Sequence, residues 1–218
     1  MKRALVALFL LITSVLASAE PTRTQADRYI PRAAYSYNSD VIREARFHYG
    51  MEAPIALFAS QIHQESAWNP RAKSAYAAGL TQFTPDTEKW IIGLFPSIGT
   101  QGVNDPQWAI RALMVYDKRL LGQITAETEC DDWAMVLSSY NGGLGWLLRD
   151  KTYTQKKGGN RNVWWGQVEV NPDPRRLPQF VHENRDYPLK IIRKHQPYYL
   201  VTGRWGTTQV CKPRQINT

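Results

Sequence analysis

The sequence predicts a mostly α, single globular domain, and three observations carry that prediction. Met51, Ile55, Phe58, Ile62 and Glu65 recur at steps of four, three, four and three, which puts them on one helical face. Trp108, Ala112, Val115 and Arg119 share a second such face, with Leu113, Tyr116 and Leu120 beside it. Between these windows stand stop and start signals, among them Asn69-Pro70, Asp105-Pro106 and Asn141-Gly142-Gly143. A chain of 218 residues is long enough for one such domain with its own core.

The elements follow in order. Residues 1–19 read as a secretory signal peptide: Lys2 and Arg3, an apolar run over 4–12, then Ala17-Ser18-Ala19 as a small-residue cleavage pattern. An uncleaved anchor is the alternative, although the run is short for a membrane span. Residues 20–40, polar and punctuated by Tyr and Pro, are expected to form an irregular arm. From Val41 the pattern turns helical, and residues 41–200 are assigned to the domain. Pro54 suits a first helical turn and Asn69-Pro70 closes that helix. Short helices are expected near 85–94, 107–121, 133–140 and 144–148. Residues 151–178 are basic and marked by Gly and Pro, and are read as a long surface loop or small hairpin carrying Trp164-Trp165. A helix over 179–195 is expected to kink or break at Pro188. Residues 201–218 form a tail containing Cys211.

Composition limits the function. The formal charge of +8 falls to +6 once Lys2 and Arg3 are removed. A basic exported protein meets anionic envelope polymers rather than nucleic acid, so nucleic-acid binding conflicts with the signal peptide. In an oxidising compartment Cys130 and Cys211 are expected to be bridged, with two free thiols as the alternative. Closing that loop stabilises the fold by about 4–5 kcal/mol in the chain-entropy picture. The four histidines show no zinc-ligand spacing with the cysteines, so neither metal nor cofactor is expected.

Glu65 ends an apolar stripe. A carboxyl there loses hydration, keeps its proton, and can donate it to a leaving oxygen, as glycosidic cleavage requires. An ordinary helix-end glutamate facing water is the alternative. The turn Gly79-Leu80-Thr81-Gln82-Phe83-Thr84-Pro85 offers a close backbone approach and a donor–acceptor amide at Gln82. Tyr140-Asn141-Gly142-Gly143 places an aromatic and an amide at a helix end, and Glu183 and Tyr187 stand one turn apart.

In this order, Glu65-Ser66 before Asn69-Pro70, a GLxQ turn, a YNxG element and a late E-x-x-x-Y resemble the soluble lytic transglycosylase family over most of the mature chain, about 53–192. The resemblance implies a lysozyme-like catalytic domain and peptidoglycan glycan strands as the partner. It implies Glu65 as the single catalytic acid and Ser66 as the serine beside it. Gln82 would line the sugar groove, Tyr140 and Asn141 would contact substrate amides, and Tyr187 would lie near the acid. Tyr76, Thr81, Ser139 and Gly142 depart from the family's usual residues at their positions, and Pro188 bears on the aim of Tyr187. Trp68, Trp164 and Trp165 are candidate sugar-stacking platforms. A hydrolytic muramidase would need a second acid, with Asp86, Asp105, Asp131 and Asp132 as candidates. A non-catalytic wall-binding component of a secretion or conjugation machine is the reading from another class.

Overall fold

The computed structural model describes residues 20–212. The signal-peptide reading on 1–19 and the end of the tail lie outside the described residues. Nine α-helices occur among them, and no strand: α1 (Arg23–Tyr29), α2 (Asn38–Tyr49), α3 (Ile55–Ser66), α4 (Pro85–Leu94), α5 (Pro106–Leu121), α6 (Glu129–Gly142), α7 (Leu144–Lys156), α8 (Pro178–Leu189) and α9 (Gln196–Val201).

Local chemistry starts these helices. Thr22, Thr84, Asp105 and Thr128 accept backbone N–H bonds ahead of α1, α4, α5 and α6. Prolines occupy the first turn of α4, α5, α8 and α9. In α3 every residue from Ile55 to Ile62 is buried, so this helix is surrounded rather than amphipathic. It packs against α2, α9 and the segment leading into α9, while α5 bridges α2 and α6, and α6 lies along α8. Glu65, on the last turn of α3, is thereby carried out of the core toward α6 and α8.

Several sequence expectations are corrected. The stripe does not begin at Met51, which is exposed and precedes α3. Helix α2 starts at Asn38, ahead of the expected Val41. The arm at 20–40 is not irregular: Thr22 and Gln25 form a reciprocal capping box on α1, and Arg32–Tyr37 make a 3₁₀ helix. Ala26, Ile30 and Ala34 enter the core. Residues 151–178 contain no hairpin. Helix α7 runs on to Lys156, and a distorted turn at Trp164–Val168 is held inward. There the Trp164 N–H donates to Asp131 Oδ1 at 2.8 Å and the Asp173 N–H to Asp150 Oδ1 at 2.7 Å. The segment is pinned because buried carboxylates on α6 and α7 accept its backbone donors.

The tail is also structural. Trp205 and Val210 are buried, and Cys211 is bridged to Cys130 at the start of α6. At Pro188 the chain does not break. α8 continues to Leu189, with the Lys190 N–H bonded to the Asp186 and Tyr187 carbonyls, and a π-helical stretch, Lys190–His195, follows it.

Helix α1 docks through a histidine. The Tyr29 hydroxyl lies 2.8 Å from His195 Nδ1, and His195 Nε2 lies 2.9 Å from Gln64 Oε1. One neutral tautomer satisfies both, with Nε2–H donating to Gln64 and Nδ1 accepting from Tyr29. Burial pushes His195 down to about 3 and His63 to about 4, with neighbouring positive charge adding to both. The unfolded chain therefore binds these protons first. Stability is expected to fall as pH drops from about 6.5 toward 4, seen as a decline of the thermal midpoint that His195→Gln makes shallower. A midpoint equally pH-dependent in His195→Gln would contradict this.

Candidate active site

A groove of about 650 Å³ opens at the C-terminal end of α3. Its walls include Glu65, Gln82, Tyr140, Asn141, Glu183 and Tyr187. The structure thus gathers five of the six sequence-predicted groove residues from α3, the 79–85 turn, α6 and α8. Ser66 is the exception: its hydroxyl bonds back to the Ile62 carbonyl at 3.3 Å.

Glu65 is half-buried and lines the groove. Loss of solvation pushes its carboxyl up to about 8. The hydrogen bond donated by the Tyr187 hydroxyl to Oε1 opposes that rise, and the charge of Glu183 adds to it. Tyr187 is 4% exposed and lies parallel to Tyr140, with ring centroids 6.4 Å apart. Pro188, directly after it, is buried in α8 and leaves the Tyr187 hydroxyl aimed at Glu65.

Tyr140 works through the turn. Its hydroxyl donates to the Thr81 carbonyl at 2.7 Å, so it is committed to the backbone beneath Gln82 while its ring lines the groove. The Gln82 amide Nε2 donates to the carbonyls of Gly79 (2.8 Å) and Ala72 (3.1 Å), which orients the side chain from its own loop. Gln82 has φ +49 and Gly79 φ +79. A Cβ on Gly79 would sit 2.1 Å from the Val103 carbonyl oxygen, so only glycine fits. Gly79→Ala is expected to destabilise the fold by about 3 kcal/mol, from positive φ and overpacking together, and to lower turnover with it by displacing Gln82. Chemical denaturation and an activity assay of the same preparation check this.

Asn141 Nδ2 donates to Glu183 Oε1 at 3.3 Å and Asn141 Oδ1 accepts from Asn184 Nδ2 at 3.2 Å. The amide is therefore held across the groove between α6 and α8. Tyr76, 81% exposed, stands at the rim.

Trp68 and Trp164 do not form platforms, and Trp165 is not among the residues lining the groove. Trp68 and Trp164 are fully buried. Trp68 Nε1–H donates to the Tyr199 hydroxyl at 2.6 Å, and Trp165 Nε1–H to Cys130 Sγ at 3.1 Å. The candidate second acids are likewise elsewhere. Asp86 is exposed on α4 in a separate hollow beside Lys89 and Trp90. Asp105 caps α5 through Trp108 N–H, and Asp131 accepts from Trp164 N–H and Thr128.

Sequence reasoning missed Asp117. It is fully buried on α5, and burial drives its carboxyl well above the ordinary range, with Gln61 opposing and Glu65 adding. The signal was present: Leu113, Asp117 and Leu120 are spaced four and three, one acid inside an apolar stripe.

A groove with one desolvated acid, a phenol on one of its oxygens and amides on both walls can protonate a leaving oxygen and hold a polar chain. Residues 40–163 match the family described as the transglycosylase SLT domain. The chain is 31% identical over 119 residues to the membrane-bound lytic murein transglycosylase F of Photobacterium profundum, covering 53% of this chain and 22% of that protein. It is 30% identical over 159 residues to the protein of the same name from Vibrio cholerae (68% and 29%). Against that of Alteromonas mediterranea it is 35% identical over 126 residues (56% and 24%). The match thus spans less than a third of the length of these curated relatives.

Proposed function

This chain belongs to the transglycosylase SLT family, and from that premise we propose that it is an exported peptidoglycan lytic transglycosylase. It cleaves the β-1,4 bond between N-acetylmuramic acid and N-acetylglucosamine, with Glu65 as acid and then base. The observation that carries this reading is the Glu65 carboxyl itself, pushed up to about 8 in an open groove with Tyr187 on Oε1. An acid of that strength holds its proton at neutral pH, and with Oε1 engaged the proton is left on Oε2.

In the reaction, Glu65 gives this proton to the bridging oxygen as the bond from that oxygen to muramic C1 breaks. The substrate's own N-acetyl group stabilises the oxocarbenium-like centre. The C6 hydroxyl of the same sugar then attacks C1, and ionised Glu65 takes its proton. A C1–O6 bond replaces the bond broken, the acid is restored, and no water is consumed. One carboxylate suffices because the nucleophile belongs to the substrate, unlike the paired carboxylates of ordinary glycosidases. Gln82 and Asn141 position the strand, and Tyr76 supplies an exposed ring at the rim. The bridged cysteines and the basic charge suit an oxidising, polyanionic envelope. Among the described residues no helix is long and apolar enough to cross a membrane.

Mass spectrometry of fragments released from purified peptidoglycan tests the reading. Products one water lighter than hydrolytic ones, ending in a 1,6-anhydro ring, are expected. Reducing ends would mean hydrolysis and direct attention to Glu183, the carboxylate bonded to Asn141. No release would favour a wall-binding component of an envelope machine.

A further inference from the structure

A second hollow of about 340 Å³ adjoins the groove and shares Asn141, Phe180 and Glu183 with it. Its own walls are Trp146, Arg175, Arg176 and the turn at Gly142. Arg176 is the unusual residue. Its side chain is 4% exposed, yet its one ion-pair partner among the described residues, Asp150, lies 3.6 Å away and pairs more closely with Arg185 at 2.8 Å. Among the described residues Arg176 Nε has no hydrogen-bond partner, while Nη1 donates to Asn184 Oδ1 at 3.0 Å.

The fold makes room for this guanidinium. A Cβ at Gly142 would lie 2.2 Å from Arg176 Nη2 and 2.7 Å from Asn184 Nδ2. Gly142, where the family often has alanine, is what lets Arg176 reach under the Tyr140-Asn141 turn. Arg149 and Arg176 both approach the Trp146 ring, at 4.7 and 5.6 Å. Of the residues lining this hollow, Arg175 and Arg176 are cationic and Glu183 is acidic, and Arg175 is bonded to Asp173. A desolvated, under-paired guanidinium is a site for a planar anion, and a carboxylate fits its fork.

We propose that this hollow binds a carboxylate of the peptide stem carried by the substrate's muramic acid. The proposal rests on the transglycosylase reading, because that substrate has neutral sugars and carries its carboxylates on the peptide. A muramic ring held at Asn141 directs its lactyl-linked stem across the Asn141–Glu183 pair and onto Arg176.

Calorimetric titration tests it with two probes, an N-acetylmuramoyl peptide with free carboxylates and the same compound with those groups amidated. The protein is expected to bind the acidic probe about tenfold more tightly, as one charge-assisted contact warrants. Arg176→Gln is expected to remove the difference. Arg175→Ala, at an exposed side chain, is expected to reduce it and decides the matter if Arg176→Gln does not fold. Equal binding of both probes, binding of neither, or a preference unchanged in the folded variants would overturn the proposal. Product chemistry is read separately, so loss of the transglycosylase reading is distinguishable from loss of this one.

Discussion

Glu65→Gln is expected to fold, to lose about a thousandfold or more in turnover, and to become the more stable protein at alkaline pH. The activity loss follows from removing both proton transfers, since the amide neither donates a proton to the leaving oxygen nor takes one from the C6 hydroxyl. The stability gain follows from linkage. The folded carboxyl titrates at about 8 against 4.5 when unperturbed, so between those values the folded state holds the proton and the unfolded chain releases it. Wild-type stability therefore declines as pH rises through that window, and the decline is complete above about 8. Glutamine has nothing to ionise. The variant should match the wild type below pH 4.5 and exceed it by about 2 kcal/mol at pH 9, some 4–8 °C in midpoint. Wild-type turnover should fall as pH rises through about 8, as the acid is lost. Retained activity in Glu65→Gln would remove the mechanism. A stability difference independent of pH would show the carboxyl to be well solvated.

Trp68→Ala is expected to cost about 3–5 kcal/mol, the largest stability effect of any single change considered. The indole is fully buried against Tyr37, Tyr199 and Trp205. Its N–H is the donor to the Tyr199 hydroxyl, which in turn lies 3.0 Å from His63 Nδ1. Truncation leaves a cavity and removes that hydroxyl's donor. Denaturant unfolding measures the cost. If the folded fraction of Trp68→Ala kept wild-type stability but bound glycan strands poorly, the residue would be a platform after all.

How much was legible in the sequence varies with the range of the interaction. The 3.6-residue period in α3 and α5 and the start signal at Asp105-Pro106 involve neighbours within four positions, and their physics is local. So is the placement of Glu65 on the buried side of its helix, which marked it as a desolvated acid. The arm at 20–40 was misread because its polar surface residues mask three small or apolar contacts, Ala26, Ile30 and Ala34, that matter only once the chain has packed and α1 lies against α9. The tryptophans were misassigned because an indole looks the same in sequence whether it stacks on a sugar or fills a core.

The sequence alone thus determined a helical domain, the order of its candidate site elements and an acid at the end of an apolar stripe. Tertiary structure decided what surrounds that residue. Tyr187 reaches Glu65 across 122 positions and Tyr140 reaches Thr81 across 59. Gly142 opens space for Arg176, and Asp117 is sealed beneath the groove. The reason is physical: helix periodicity is set by backbone geometry between near neighbours, whereas desolvation and hydrogen-bond partnership belong to groups that meet only when the chain has packed.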